Sequence, residues 1–104
     1  MKDDQQFLYT IRPVRIEMLT EGPTARETEV ISLHFDHLSE LAAQGIVEFA
    51  GRTDTDDERT FGIVVFNARS EKDALKIVHS DPAVAEGVMV PELFPFRLAV
   101  RASY

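Results

Sequence analysis

The order in which strand-like and helix-like segments follow one another is the feature that most constrains the fold. Runs of alternating or continuous apolar residues predict four strands, and a 3.6-residue apolar period predicts two helices. In chain order the predicted segments are a strand over residues 7–14, a helix over 25–44, strands over 46–52 and 61–68, a helix over 71–80 and a strand over 88–100. The order β-α-β-β-α-β predicts a ferredoxin-like α+β fold, in which a four-stranded antiparallel sheet carries both helices on one face.

Local signals support the ends of both helices. Thr24 and Glu27 have the spacing of a capping box, in which each side chain satisfies the other residue's free amide. Gly45 suits the C-terminal cap of the same helix. Ser70 suits the N-cap of the second helix.

The third predicted strand, "FGIVVFNA", is apolar at consecutive positions, so both faces of the sheet need to be buried. The two helices cover only one face. We therefore expect a second copy of the chain to cover the other face and to close a two-subunit barrel, in a homodimer or a higher assembly. Pro91 and Pro95 agree with this arrangement, because proline lacks a ladder donor and belongs at an edge, a bulge or a crossing between subunits.

Length and composition limit the other partners. A chain of 104 residues without cysteine is long enough for a single domain over residues 1–104, of which we expect residues 1–6 to be a flexible tail. The formal net charge of −7 disfavours nucleic acid and anionic membranes, which attract clustered Lys and Arg. No segment approaches the roughly 20 apolar residues of a membrane span, and the first residues lack the apolar run of a signal peptide. We therefore expect a cytoplasmic protein.

Two histidines of the first predicted helix differ in their position relative to its apolar stripe. At about 100° per residue, His34 lies about 30° from the middle of the stripe and His37 about 90° away. The residues of the stripe are Ile31, Phe35, Leu38, Leu41 and Ala42. We therefore predict that His34 is buried against the sheet and that His37 lies at the rim.

A buried imidazole needs a partner for at least one ring nitrogen, because an unsatisfied polar group costs about 1–3 kcal/mol. Asp81 is the best candidate, since it ends the second helix and could point back across the same face of the sheet. A carboxylate partner orients an imidazole as an acid or base near neutral pH. In the alternative interpretation Asp81 and Pro82 only begin a short helical turn, and His34 is a satisfied core residue. The two interpretations are compatible, since a carboxylate has several acceptor sites.

Several segments of the chain resemble the YCII-related protein family: "HFDHLSELAAQGIVEFAGR", "FGIVVFNA", "SEKDALKIVHSDPAVAEG" and "ELFPFRLAV". The resemblance covers about residues 7–100. In that family a helix histidine stands eleven residues before a glycine, and an Asp-Pro follows the second helix; the matching positions here are His34, Gly45 and Asp81.

The resemblance implies a dimeric α+β barrel with a histidine–aspartate dyad, His34 and Asp81, in a pocket between helix and sheet. Some relatives are associated with dehydrochlorination of chlorinated hydroxyquinone-type intermediates, and the wider superfamily includes muconolactone isomerases. After the second strand many members have Gly-Pro, whereas this chain has Gly51-Arg52.

Four further side chains are candidates for contact with a substrate. Arg52 presents a fork suited to a carboxylate or phenolate, although it could instead be a hairpin-end residue paired with the acidic turn beside it. Tyr9 is a candidate from the first strand, with core packing as its alternative role. His37 is the rim residue, and His79 lies close to Asp81 near the end of the second helix, where a cationic imidazole also suits the helix dipole.

The sequence predicts no metal site and no cofactor. The turn "DTDDER" lacks the glycine and the distal glutamate of a calcium loop. His34 and His37 could share a metal, but the pattern places no third ligand beside them. There is no glycine-rich loop to cradle a phosphate.

These observations predict a cofactor-independent small-molecule enzyme in which His34 moves a proton and Asp81 orients it. Isomerisation of a lactone, elimination of a halide and hydrolysis all suit such a dyad, and we expect a compact, anionic or cyclic organic substrate. The alternative is a non-catalytic homodimeric ligand-binding or accessory protein; a heme- or quinol-handling monooxygenase of the same barrel shape is a third hypothesis. An enzyme should expose one imidazole nitrogen to a solvent-reached pocket, whereas a structural histidine should have both nitrogens satisfied and no cavity beside it.

Overall fold

The computed structural model describes residues 4–103 and confirms the predicted order of the main elements. Two short helices occur in addition to the predicted elements. In chain order the elements are β1 (Gln5–Pro13), α1 (Glu17–Thr20), α2 (Ala25–Ala43), β2 (Val47–Arg52), β3 (Gly62–Ala68), α3 (Glu71–Ser80), α4 (Pro82–Ala85) and β4 (Met89–Pro95).

The four strands form one antiparallel sheet in the order β2-β3-β1-β4, which confirms the ferredoxin-like α+β class. The prediction for the two prolines is also confirmed, because β4 is an edge strand. The amide of Phe96 donates to the carbonyl of Gln6 at 2.9 Å. Since alternate amides of a strand point to opposite sides, the nitrogens of Pro91 and Pro95 face the free edge, where no ladder donor is needed.

The predicted capping box starts α2. The hydroxyl of Thr24 accepts from the Glu27 amide at 3.1 Å, and the Glu27 carboxylate accepts from the Thr24 amide at 2.8 Å. Arg15 adds two hydrogen bonds of 3.0 Å to the same carboxylate. At the other end Gly45 has φ +77°, a conformation that favours glycine after a helix. Both ends of α2 therefore follow from local chemistry.

The main core lies between the helices and one face of the sheet. Phe7, Tyr9 and Phe66 from the central strands pack there, with Leu38 of α2 and Val78 of α3. The rings of Tyr9 and Phe66 meet edge to face, with centroids 5.6 Å apart, a favoured aromatic geometry. This packing holds both helices against the sheet.

The opposite face of the sheet carries an apolar row that crosses all four strands. Phe49 pairs with Val65, Val65 with Leu8, and Leu8 with Phe94. Within the single chain Phe49 is 51% exposed and Phe94 40% exposed. This face is as apolar as its third strand predicted, although Val65 in the middle of the row is only 1% exposed.

Two predicted boundaries are wrong. Residues 5 and 6 were predicted in the flexible tail, yet Gln5 and Gln6 pair with Ala68 and Asn67 in β1; the predicted tail at residues 1–3 lies outside the described part of the chain. The fourth strand was predicted to reach residue 100 but ends at Pro95. In this register Phe7 lies opposite Pro95, so residues beyond 97 extend past Gln5, where β1 begins.

Candidate active site

A cleft of about 760 Å³ opens between α2 and the helix-facing side of the sheet, a volume typical of a small-molecule site. Residues of α1 and of the loop that follows β2 close its sides. Most of the lining is apolar, and its larger side chains include Met18, Ile31, Phe35, Leu38, Val64 and Met89. Among the described residues, the lining side chains with an ionisable group are His34, Arg52 and Asp56.

His34 is placed by α2 with its ring turned towards the sheet, and only 5% of the residue is exposed. Its Nδ1 lies 2.7 Å from Oδ1 of Asp81. An ionised carboxylate only accepts hydrogen bonds, so Nδ1 carries the proton in this pair. Nε2 has no hydrogen-bond partner in residues 4–103. Since no fully buried side-chain nitrogen in that range lacks a partner, Nε2 is reached by solvent, and the ring lines the cleft.

Asp81 is fully buried at the junction of α3 and α4. Besides His34, its carboxylate accepts from the Tyr9 hydroxyl at 2.7 Å and from the Ala83 amide at 2.9 Å. The bond to Ala83 is the N-cap of α4, so the capping interpretation and the partner interpretation both describe this residue. Burial acts to raise the pKa of Asp81, but the hydrogen bonds from His34 and Tyr9, with the His34 charge and the Ala83 amide, together lower it. Asp81 is therefore an anion at neutral pH.

Tyr9 lies behind Asp81 rather than in the cleft. The residue is 1% exposed, and its hydroxyl donates to Oδ2 of the carboxylate. Burial, together with the charge and the hydrogen bond of Asp81, raises the pKa of Tyr9 far above its usual range, so the hydroxyl remains a donor. This position differs from the predicted contact with a substrate, because the first strand turns Tyr9 into the core.

The other predicted site residues are divided between the cleft and the outer surface. Arg52, at the end of β2, lines the cleft and donates from one guanidinium NH2 to Asp56 at 3.1 Å. His37 is half-buried on α2, with Nε2 3.3 Å from the Ser80 hydroxyl. His79 is exposed on α3. Neither of these two histidines lines the cleft.

Sequence reasoning missed two parts of the cleft wall. The short helix α1 contributes Met18 and Leu19, and their adjacent apolar side chains between Glu17 and Thr20 were the available signal. Thr60 is buried and also lines the cleft. Its hydroxyl ends a hydrogen-bonded series of threonine hydroxyls in the β2–β3 loop. The sequence of that loop does not indicate that these hydroxyls are bonded to one another.

Neither a metal cluster nor a membrane span is found in the described part of the chain. No three His, Asp or Glu side chains of residues 4–103 come close enough together to hold a metal ion. Within the same residues no helix is both long and apolar enough to cross a bilayer.

The fold and the site together define an α+β domain with a buried histidine–aspartate pair beside an apolar cleft. The chain belongs to the YCII-related domain family, whose sequence model matches residues 7–97. No curated protein matches the sequence.

A solved structure shares the fold. The chain is similar to 5-chloro-2-hydroxyhydroquinone dehydrochlorinase (TftG) from Burkholderia phenoliruptrix AC1100 in complex with 2,5-dihydroxybenzoquinone, with a TM-score of 0.64 and 18% identity over 89% of this chain and 95% of that chain. It is also similar to SnoaB, a cofactor-independent oxygenase from Streptomyces nogalater, with a TM-score of 0.45 and 14% identity over 96% of this chain and 99% of that chain.

Proposed function

We propose that the protein is a cofactor-independent enzyme that transfers a proton to or from a small organic molecule bound in the cleft, with His34 as the acid–base residue. One observation carries this proposal: Nδ1 of His34 is bonded to the buried Asp81 while Nε2 is left unpaired in residues 4–103 and open to solvent. A histidine with a purely structural role would have both nitrogens bonded and no cavity beside it.

General acid–base catalysis requires one group that transfers the proton and another that orients it, and His34 and Asp81 suit these two roles. Because Nδ1–H donates to Asp81, the lone pair of Nε2 points away from the carboxylate and is available to accept a proton from a substrate. The imidazolium that forms is then stabilised by the negative charge at 2.7 Å. Tyr9 and the Ala83 amide hold the carboxylate in place, so we assign Tyr9 a positioning role.

The lining of the cleft supports a compact and largely apolar substrate. In a dehydrohalogenation, Nε2 would take the proton next to the halogen-bearing carbon, the C–H electron pair would form the double bond, and halide would leave. Lactone isomerisation and ester hydrolysis use the same proton transfer at other atoms. The dehydrochlorinase that shares the fold makes chlorinated hydroxyquinols the first compounds to assay.

The test is a screen of chlorinated hydroxyquinols, unsaturated lactones and small esters with the wild type, His34→Gln and Asp81→Asn. Glutamine supplies an amide donor close to Asp81 and removes the titratable nitrogen. We expect His34→Gln to reduce kcat by about 10²- to 10⁴-fold, the usual contribution of a general acid or base, and Asp81→Asn to reduce it less.

His37→Gln is the matched control, because it makes the same change on the same helix outside the cleft. Its turnover should equal that of the wild type. Equal turnover in all four proteins would contradict the proposal. Saturable ligand binding without turnover in any of them would favour the alternative, a ligand-binding or accessory protein.

We also propose that two copies associate through the open face of the sheet. The apolar row from Phe49 to Phe94 spans the full width of the sheet, and Val90 on the same side of β4 is 55% exposed. Large exposed apolar side chains grouped on one face, here Phe49, Val90 and Phe94, favour an interface over a free surface. A second copy presents the same row, so the contact is self-complementary about a two-fold axis.

A further inference from the structure

Arg52 is the one permanently cationic side chain among the described residues that line the cleft. The rest of the lining is apolar or uncharged except for His34 and Asp56. A guanidinium at the border of an apolar cleft is a strong recognition element for an anionic group, because it offers several N–H donors in a planar fork. Arg52 ends β2, pairs with Gly62 of β3 and lines the cleft.

Asp56, the hydrogen-bond partner of Arg52, accepts from only one guanidinium nitrogen. One NH2 donates to one oxygen of Asp56 at 3.1 Å, and Arg52 has no further hydrogen bond within residues 4–103. Arg59 instead makes three side-chain bonds to Asp57, and Arg15 binds both oxygens of Glu27. Arg52 therefore keeps donors available for a second anion.

The ion pair of Arg52 is also weakly held. The side chain of Asp56 is 72% exposed and that of Arg52 49% exposed, and exposed ion pairs of this kind contribute little to stability. The backbone beside Asp56 is better fixed, because the hydroxyls of Thr53, Thr55 and Thr60 are linked by hydrogen bonds of 2.8 Å. The loop thus keeps the Asp56 carboxylate next to Arg52, while the ion pair between the two side chains is weak.

We propose that Arg52 is the residue that selects an anionic substrate, and that Asp56 is a resident counter-anion which the carboxylate or phenolate of the substrate displaces. Asp56 then sets the affinity: it neutralises Arg52 in the free protein and competes with every incoming anion. This inference rests on the proposed function, since it takes the cleft as the substrate site, but it concerns binding and not proton transfer.

The experiment measures binding of benzoate, with benzamide as the neutral probe of the same shape, by titration calorimetry at constant ionic strength. The variants are Asp56→Asn, Arg52→Gln and Arg52→Lys, with Asp54→Asn as the matched control. Asp54 lies in the same loop, is exposed, and has no ion-pair partner in the described residues. Both aspartate changes alter the net charge equally, so their difference isolates the pairing with Arg52.

We expect the wild type to bind benzoate more tightly than benzamide. Asp56→Asn should lower the dissociation constant of benzoate about three- to fivefold, which corresponds to the free energy of an exposed ion pair. Asp54→Asn should leave the dissociation constant close to that of the wild type. Arg52→Gln should bind benzoate only as tightly as it binds benzamide. Arg52→Lys should retain part of the preference for benzoate over benzamide. Shifts of the His34 ring signals on addition of benzoate should locate it in the cleft.

Three results would overturn the proposal: no measurable binding of benzoate to the wild type or Asp56→Asn, equal benzoate affinity of the wild type and Arg52→Gln, or equal effects of Asp56→Asn and Asp54→Asn. Failure of the enzyme proposal has a different signature. In that case benzoate binds as described here, and His34→Gln binds it like the wild type, while none of the proteins turns over any compound of the screen.

Discussion

At the scale of single residues, the site depends on how many donors surround one buried carboxylate. Asp81 accepts from a ring nitrogen, a phenol and a backbone amide, and these bonds offset the burial that would otherwise favour its neutral form. The aspartate is thus kept charged in the interior, where its charge acts on His34 with little screening by solvent.

Tyr9→Phe tests this arrangement, because it removes one donor and leaves the shape of the core unchanged. A hydrogen bond to a charged group contributes about 1.5–3 kcal/mol, and we expect the free energy of unfolding at pH 7 to fall by about that amount in urea titrations. Thr20→Val is the control: it removes an exposed hydroxyl and should change the free energy of unfolding by less than about 0.5 kcal/mol. A Tyr9→Phe protein as stable as the wild type would show that the bond contributes nothing to the fold.

The same substitution has a predicted pH dependence. The pKa of Asp81 is lowered in the folded protein from its ordinary value of 3.8, so its charge stabilises the fold above that value, and the stabilisation is lost as the pH falls through the folded pKa. Without the Tyr9 hydroxyl the folded pKa should rise towards the ordinary value. The acid unfolding of Tyr9→Phe should therefore begin at a higher pH than that of the wild type.

At the scale of elements, the N-terminus of α2 connects the cleft helix to the chain that follows β1. Glu27 closes the capping box and receives both bonds from Arg15, and the Arg15 hydrogen bonds are the largest cause that lowers the pKa of Glu27 from 4.5 to about 2. His34 lies two turns further along the same helix, so the position of its ring depends on this anchored end.

Glu27→Gln should flatten the dependence of stability on pH. The lowered pKa means that the Glu27 carboxylate stabilises the fold fully above about pH 4.5 and progressively less as the pH falls towards 2. Unfolding free energies measured between those values should therefore decline less steeply in Glu27→Gln than in the wild type. Glu40→Gln, an exposed position on α2, should reproduce the wild-type slope; a wild-type slope in Glu27→Gln would contradict the assignment.

At the scale of the whole molecule, the two faces of the sheet differ in what covers them. One face is covered by α2 and α3 and contains the site, and the other carries the apolar row that we propose as the contact between two copies. Phe94→Glu would place a charge at the β4 end of that apolar row, where it has no partner. Size-exclusion chromatography with light scattering should give a dimer mass for the wild type and a monomer mass for Phe94→Glu.

Leu33→Glu is the control for that change, because Leu33 is an exposed apolar residue of α2 and lies outside the proposed contact. It should remain a dimer. A monomeric wild type, or a Phe94→Glu protein that still dimerises, would rule out association through this face.

The sequence by itself determined the order of the elements, the ends of α2, the burial of His34 and the apolar character of both sheet faces. These properties follow from interactions between residues close in the chain and from periodicity, which are visible in one dimension. Only the tertiary structure decided that Tyr9 donates to Asp81 from within the core, that His34 lines a cleft, and that Arg52 and Asp56 line the same cleft. The physical reason is distance along the chain: Tyr9 and Asp81 are 72 residues apart, and their contact exists only because β1 and α3 pack into one core.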